Sequence, residues 1–369
     1  MVTENDATGW RSSGEVSGRV RPARWALCGR APANTPVASA VIVVAVAVGL
    51  AGCRMDTSAP ASGSAGHTTG STAVITEPDQ TYIPVYNFIG TATKSIDMTM
   101  YELVDTTAEQ DLVAAAKRGV KVRVILDQNL EKSSNTAAYN YLNGNGVSTV
   151  WAKSGRTTHQ KTITVDDTSS LIMTGNLTSR YYSTTRDFGL VDTDTADVNA
   201  IEQVFTADYA NIAITPTDGD DLVWSPTDSQ TRLLALINGA TKSLNVENEE
   251  MSDAAIVSAL EAAAKKGVDV TVTMTNSGND YASEFDALTS ADAHVSTYTG
   301  ETPIYIHAKA IVADVGQPDA KTYVGSENFT SASLNRNREL GIVTTNATIV
   351  SSVDSTLTAD ANQAKPWSY

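Results

Sequence analysis

The chain repeats itself. The segment "ATKSIDMTMYE" at residues 92–102 is matched by "ATKSLNVENEE" at 240–250, an offset of 148. At that same offset "AAAKRGVKVRV" (114–124) is matched by "AAAKKGVDVTV" (262–272), and "HQKTITVD" (159–166) by "HAKAIVAD" (307–314). One offset shared by three separate segments marks a duplicated structural unit. The offset then grows to 152, where "TGNLTS" (174–179) pairs with "SENFTS" (326–331) and "RDFG" (186–189) with "RELG" (338–341). The extra residues fit a longer turn in the second copy, "DVGQPDAK" against "DDTSS". A chain of 369 residues built this way is long enough for two lobes, each with its own core.

Within each copy the hydrophobic pattern alternates between the strand period and the helix period. In the first copy, residues 95–100 read as a strand. "EQDLVAAAKRG" has helical spacing that stops at Gly119, and "VKVRVILD" alternates as a half-buried strand. A second helix is expected near 133–142, followed by a short strand, a strand carrying the His and Lys, a turn and another strand. Strands interleaved with helices give sheets covered by helices. The expected fold class is therefore α/β: two lobes related by a pseudo-twofold, each a mixed β-sheet flanked by helices and facing the other. "AITPTDGDD" (213–221), punctuated by Pro216 and Gly219, marks the boundary, so the lobes are expected at 77–213 and 214–369.

The segment before the lobes reads as a leader. Residues 37–50, "VASAVIVVAVAVGL", form an apolar run of signal-peptide length, preceded by Arg19, Arg21, Arg24 and Arg30. The run closes in "LAGC" at Cys53, which resembles the lipobox of bacterial lipoproteins. That resemblance implies a signal peptide at 1–52 and lipidation of Cys53. It implies an exported protein, either anchored to the outward face of the cell membrane or secreted. Residues 53–76 are rich in Ser, Thr, Gly and Ala and read as a flexible linker containing His67. Cys28 and Cys53 are the only cysteines, and Cys28 would leave with the leader, so no disulfide is expected. From Cys53 onward the net charge is −18. A surface so acidic repels phosphate polymers, which disfavours nucleic acid as a partner.

The phrase that recurs carries the chemistry. Two of the four histidines open it. Residues two apart on a strand share a face, so His159 and Lys161 point together, as do His307 and Lys309. In the second copy Ile306, Ala308, Ala310 and Val312 form the opposite, apolar face. A Lys ammonium donates to phosphate oxygens, and a His beside it can act as nucleophile or as acid and base near neutral pH. In an in-line displacement, attack and departure occur on opposite sides of phosphorus. Two copies of one motif across a twofold supply a His to each side. Asn176 and Asn328 stand at matched positions with amides able to donate to the same phosphate. Asp187 and Glu339 are also matched, and a carboxylate there can accept from the second ring nitrogen of a His and fix its tautomer. Asp166 and Asp314 lie at the ends of the motif strands and are expected to hold the turns.

Together "HQKTITVD…TGNLTS" and "HAKAIVAD…GSENFTSASLNRNRELG" resemble the paired HxKxxxxD motifs of the phospholipase D superfamily. The second copy is the fuller match, with Gly325-Ser326-Glu327-Asn328 where the family shows GSxN. The first has Thr174-Gly175-Asn176. The resemblance implies two packed α/β lobes with one active site at their interface. It implies phosphodiester cleavage through a phosphohistidine, with no metal and no cofactor. His159 is then the nucleophile and His307 the general acid, although pseudo-symmetry makes these roles nearly interchangeable at this level. Lys161, Lys309, Asn176 and Asn328 would bind phosphate, while Asp187 and Glu339 would orient the histidines. A phospholipid is the expected substrate and water or an alcohol the acceptor, with membrane contact through lipidated Cys53. A monomer containing an internal pseudo-dimer is expected. The alternative within the superfamily is a nuclease.

Other residues take plainer readings. His294 has no counterpart in the repeat and is expected to be structural. Glu102 and Glu250, matched strand-end carboxylates, are expected to be solvated, and Arg186 and Arg338 to form surface ion pairs. Tyr181 and Tyr182 are expected to pack.

Overall fold

The computed structural model describes residues 70–217, 219–300 and 303–368. The expected leader, Cys53 and most of the expected linker lie outside these residues.

The first lobe begins with strand β1 (Ser71–Glu77) and helix α1 (Ile83–Gly90), then β2 (Ser95–Met100), β3 (Leu103–Val104), α2 (Thr106–Lys117) and β4 (Lys121–Leu126). It continues through α3 (Lys132–Gly144), β5 (Ser148–Trp151), β6 (Thr162–Val165), β7 (Ser169–Met173), β8 (Leu177–Thr178), β9 (Thr185–Asp192) and α4 (Thr195–Tyr209). The second lobe opens with β10 (Leu222–Ser225), α5 (Ser229–Gly239), β11 (Ser243–Asn248), α6 (Ala254–Lys265) and β12 (Asp269–Thr275). There follow α7 (Ala282–Ser290), β13 (His294–Tyr298), β14 (Tyr305–Ile306), β15 (Lys309–Ala313), β16 (Lys321–Gly325), α8 (Ser331–Asn335), β17 (Glu339–Thr344), α9 (Ala347–Gln363) and β18 (Lys365–Pro366).

The two main sheets have the same strand order. The first runs β1-β9-β7-β6-β2-β4-β5 and the second β10-β17-β16-β15-β11-β12-β13, with β18 added at its edge. In both, the three strands joined by helices pair in parallel and the other strands of this order antiparallel, so each sheet is mixed as expected. All but the last residue of strand β1 lies inside the stretch 53–76 expected to be linker. Its Ala, Val and Ile pair antiparallel with β9, and its last three residues are buried. The linker reading rested on composition, which does not register a short edge strand.

Helix ends are duplicated along with the strands. Asp105 caps α2 by accepting from the Thr107 and Ala108 amides, and Asp253 caps α6 from Ala255 and Ile256. Such caps satisfy amides that have no partner within the helix. Gly119 (φ +96) and Gly267 (φ +87) end the same two helices in the left-handed region that favours glycine.

Each lobe has its own core. One is centred on Ile96, Met98 and Val124 and the other on Val246, Val270 and Val272. A third cluster draws on both lobes. Ile172, Phe188, Leu190 and Ile201 from the first pack with Leu222, Trp224, Ile306, Ala308, Ala310, Val312 and Leu340 from the second. The apolar face expected for the second motif is thus buried at the lobe interface, which aligns the two pieces of chemistry on either side of it.

Candidate active site

Neither histidine sits within a strand of its own sheet. His159 and Lys161 precede β6, and His307 falls between β14 and β15, with Lys309 opening β15. The expectation of a continuous His-Lys strand is corrected here, and the backbone supplies the reason. The His159 and Gln160 amides donate to the Arg338 carbonyl at 2.9 and 3.0 Å, and the Arg338 amide donates to Thr157 O at 2.8 Å. Symmetrically, β14 pairs in parallel with β9, and the His307 amide donates to Arg186 O at 3.3 Å. Each histidine therefore stands where the chain leaves the other lobe's sheet and enters its own, so its side chain opens at the interface.

The side chains cross in the same way. His159 Nδ1 lies 2.7 Å from Oε2 of Glu339 in the second lobe. His307 Nδ1 lies 2.8 Å from Oδ1 of Asp187 in the first lobe. Both carboxylates are themselves anchored. Thr174 Oγ1 donates to Asp187 Oδ1 at 2.6 Å, while Ser333 Oγ and Asn337 Nδ2 donate to Glu339 Oε1 at 2.5 and 3.0 Å. At Gly175 an added Cβ would lie 2.8 Å from the Asp187 carboxyl carbon, so a residue with no side chain is needed for this approach. A carboxylate on Nδ1 makes that nitrogen the donor and leaves Nε2 turned to the site. Burial lowers the His159 pKa below its ordinary value, with Lys161 and Lys309 adding to the effect, although Glu339 pulls the other way. The Glu339 carboxyl is held down by His159 and its other donors, against the upward push of burial.

The lysines are fully buried. Lys161 Nζ donates to its own motif's His159 carbonyl at 2.6 Å and stands 4.9 Å from the centre of the Tyr101 ring. Burial and then the like charge of Lys309 push its pKa down to about 7. Lys309 Nζ donates to the His307 carbonyl and, at 2.9 Å, to Oε2 of Glu249. Glu249 also lies 3.5 Å from His307 Nε2, and Asn328 Nδ2 is 3.4 Å from the same oxygen. Asn328 is buried, and Asn176 holds the matched place just after β7. The Oδ1 atoms of both amides have no partner among the described residues. Glu249 was not singled out in the sequence. The available signal was a break in the repeat, since the residue 148 positions earlier is Tyr101, whose ring meets His159 edge-on at 4.6 Å.

Asp166 and Asp314 accept from matched sets of backbone amides at the turns. Each has a positive φ (56° and 55°). Asp166 accepts from the amides of Thr93, Lys94 and Ser95, and Asp314 from those of Thr241, Lys242 and Ser243. The repeated "ATKS" thus exists to be held by the last residue of the repeated motif. Burial pushes the Asp166 carboxyl up, but these bonds together bring it down to about 2.

Several plainer expectations change. Glu102 is buried, 7% exposed, and accepts from Thr178 Oγ1 at 3.0 Å, so it is not a solvated strand end; Glu250 is half-buried. Arg186 and Arg338 are buried, not surface, ion pairs, and they too cross. Arg186 Nε donates to Asp360 Oδ2 on α9 at 2.6 Å, and Arg338 Nε to Asp208 Oδ2 on α4 at 2.7 Å. Tyr182 packs, stacking on Tyr82 with ring centres 3.4 Å apart. His294 is exposed beside Asp269. One trio of described carboxylates, Asp97, Asp167 and Glu202, has oxygens within 4.8 Å of one another, but Arg123 donates to Asp97 and supplies the counter-charge.

The family model for the cardiolipin synthase phospholipase D-like domain matches residues 85–209 and again 233–361, more than two thirds of the chain. Among solved structures the chain is similar to polyphosphate kinase from Porphyromonas gingivalis, with 16% identity and a TM-score of 0.62 over 78% of this chain and 50% of that one. It therefore spans about half the length of that protein. It is also similar to phosphatidylserine synthase from Haemophilus influenzae Rd KW20, with 11% identity and a TM-score of 0.58 over 77% of this chain and 84% of that one. Nuc, a phospholipase D family member from Salmonella typhimurium, matches 40% of this chain with 97% of its own at 25% identity and a TM-score of 0.37. No curated protein matches the sequence.

Proposed function

The chain belongs to the phospholipase D superfamily, whose members act on phosphodiesters, and from that premise we propose that it cleaves or exchanges the headgroup of a phospholipid through a covalent phosphohistidine. The observation that carries this reading is the crossed pair of buried carboxylates. Each ties up the Nδ1 of one histidine and leaves its Nε2 facing the interface. In the first step the His159 Nε2 lone pair attacks phosphorus as the phosphorus–oxygen bond to the headgroup breaks. The leaving oxygen takes the Nε2 proton of His307. In the second, His307 accepts a proton from water or an alcohol, whose oxygen displaces His159 from phosphorus. Lys161, Lys309, Asn176 and Asn328 donate to the non-bridging oxygens. The lowered pKa of buried His159 favours a neutral ring with a free lone pair, which supports its role as nucleophile.

The preference for phospholipid over nucleic acid rests on charge. With a net of −18 beyond residue 52, the protein offers little of the positive track a polynucleotide needs. A lipid tether at Cys53 would hold the site beside such a substrate at high effective concentration. The test is to incubate the protein in EDTA with vesicles of phosphatidylcholine, phosphatidylethanolamine or cardiolipin and, in parallel, with single-stranded DNA. Acid-stable and acid-labile phosphate adducts are then mapped by mass spectrometry. Headgroup release with an acid-labile adduct on His159 is expected. Cleavage of DNA alone would replace the substrate class, and turnover without any histidine adduct would overturn the mechanism.

A further inference from the structure

The two halves of the site share a motif but differ in what faces each histidine from the strand ends of their own lobes. Just after β2, Tyr101 presents its ring edge to His159, with centroids 4.6 Å apart. Just after β11, at the matched position, Glu249 presents a carboxylate to His307 Nε2 at 3.5 Å while bonding Lys309 at 2.9 Å. We propose that Glu249 is the positioning residue that breaks the pseudo-symmetry of the site, steadying the Nε2 edge of His307 toward the leaving oxygen and so making the second lobe the acid half of the reaction. This rests on the phosphohistidine reading above.

The geometry argues for it in three ways. His307 has a carboxylate at each ring nitrogen, Asp187 on Nδ1 and Glu249 near Nε2, whereas His159 has one. A carboxylate at each nitrogen fixes the ring plane of His307 from both edges. The contact of 3.5 Å is also too long for a strong hydrogen bond, so the Nε2 proton is steadied but remains available to a leaving oxygen. Finally, burial pushes the Glu249 carboxyl up, but His307 and Lys309 bring it below its ordinary range, so the carboxylate stays in place between them. The other charged groups that bear on this pair are Lys161 and His159 across the interface and Glu102 from the first lobe. Tyr305 Oη, which donates to Glu249 Oε1 at 3.4 Å, fixes the carboxylate from the other side.

The decisive measurement is kcat/KM for Glu249→Gln and Glu249→Asp on a phospholipid and on a p-nitrophenyl phosphodiester, whose leaving group needs no proton. Glu249→Gln is expected to lower the phospholipid value by about tenfold. The loss on the activated ester is expected to be several-fold smaller, and Glu249→Asp to restore most of the wild-type rate. Circular dichroism and thermal unfolding establish that the variants are folded. A folded Glu249→Gln with unchanged phospholipid activity, or with equal losses on both esters, overturns the proposal, as does a gain in phospholipid activity. Absence of a histidine adduct in the wild type would overturn the underlying mechanism instead, so the two failures are distinguishable.

Discussion

His307 Nδ1 lies 2.8 Å from Asp187 Oδ1, a residue 120 positions earlier and in the other lobe. Glu339 does the same for His159 in reverse. Each lobe therefore supplies one reacting ring and the carboxylate that orients its partner's ring.

Glu339→Gln is expected to disable the nucleophile. An amide donating to Nδ1 forces the ring proton onto Nε2 and removes the lone pair that attacks phosphorus. Activity on phospholipid and on activated esters is expected to fall together by about 100-fold or more, with no adduct. Asp187→Asn is expected to leave an adduct on His159 from an activated ester while losing phospholipid turnover to a similar degree. Rapid-quench trapping of the two variants separates these outcomes, and the opposite pattern would reverse the roles of the two histidines.

The acid limb of kcat/KM is expected below the ordinary imidazole value of 6.5, because burial and two lysines lower the pKa of His159. A nucleophile must be neutral, so activity is lost as pH falls through that lowered value. A pH profile on the activated ester reads it directly, and a limb above 6.5 would exclude His159 as the group responsible.

Affinity for the phosphate group is expected to weaken as pH rises through about 7, where buried Lys161 loses its proton. A dialkyl phosphate is a suitable probe because its single charge does not titrate in this range. Its inhibition constant is expected to be several-fold higher at pH 8 than at pH 6, and Lys161→Met is expected to abolish that difference.

The outlying ion pairs are expected to differ in strength although they are symmetry mates. Arg186 also donates to Asp79 Oδ2 and to the Glu77 carbonyl, both at 2.6 Å, so Asp360→Asn leaves this cation with a second carboxylate. The Arg338 side chain is 1% exposed and donates two bonds to Asp208, so Asp208→Asn strands a buried cation at a cost of about 3 kcal/mol. Denaturant unfolding is expected to show the larger loss for Asp208→Asn.

Much of this was legible in the sequence because the repeat was. A constant offset located the lobes, the two motifs and the matched Asn and carboxylate positions, and period-two spacing placed Ile306 through Val312 against the core. What it left out was relational. Composition could not show that the His159 and His307 backbones bond to the other lobe, since a strand that changes sheets looks like any other strand. Arg186 and Arg338 read as surface residues because their partners, Asp360 and Asp208, lie far along the chain on the last helix of the opposite lobe. Glu249 was overlooked for a different reason: attention to matched positions passes over the place where the match fails.

That failed match is possible only because the two lobes are covalently joined. Two separate copies of a single lobe, assembled about a true twofold axis, would carry the same residue on both sides of the scissile bond. A tyrosine facing one histidine and a glutamate facing the other could not then coexist. Tandem linkage removes that constraint. It allows one surface to be tuned for attack and the other for departure within an architecture whose main sheet keeps the same strand order on each side.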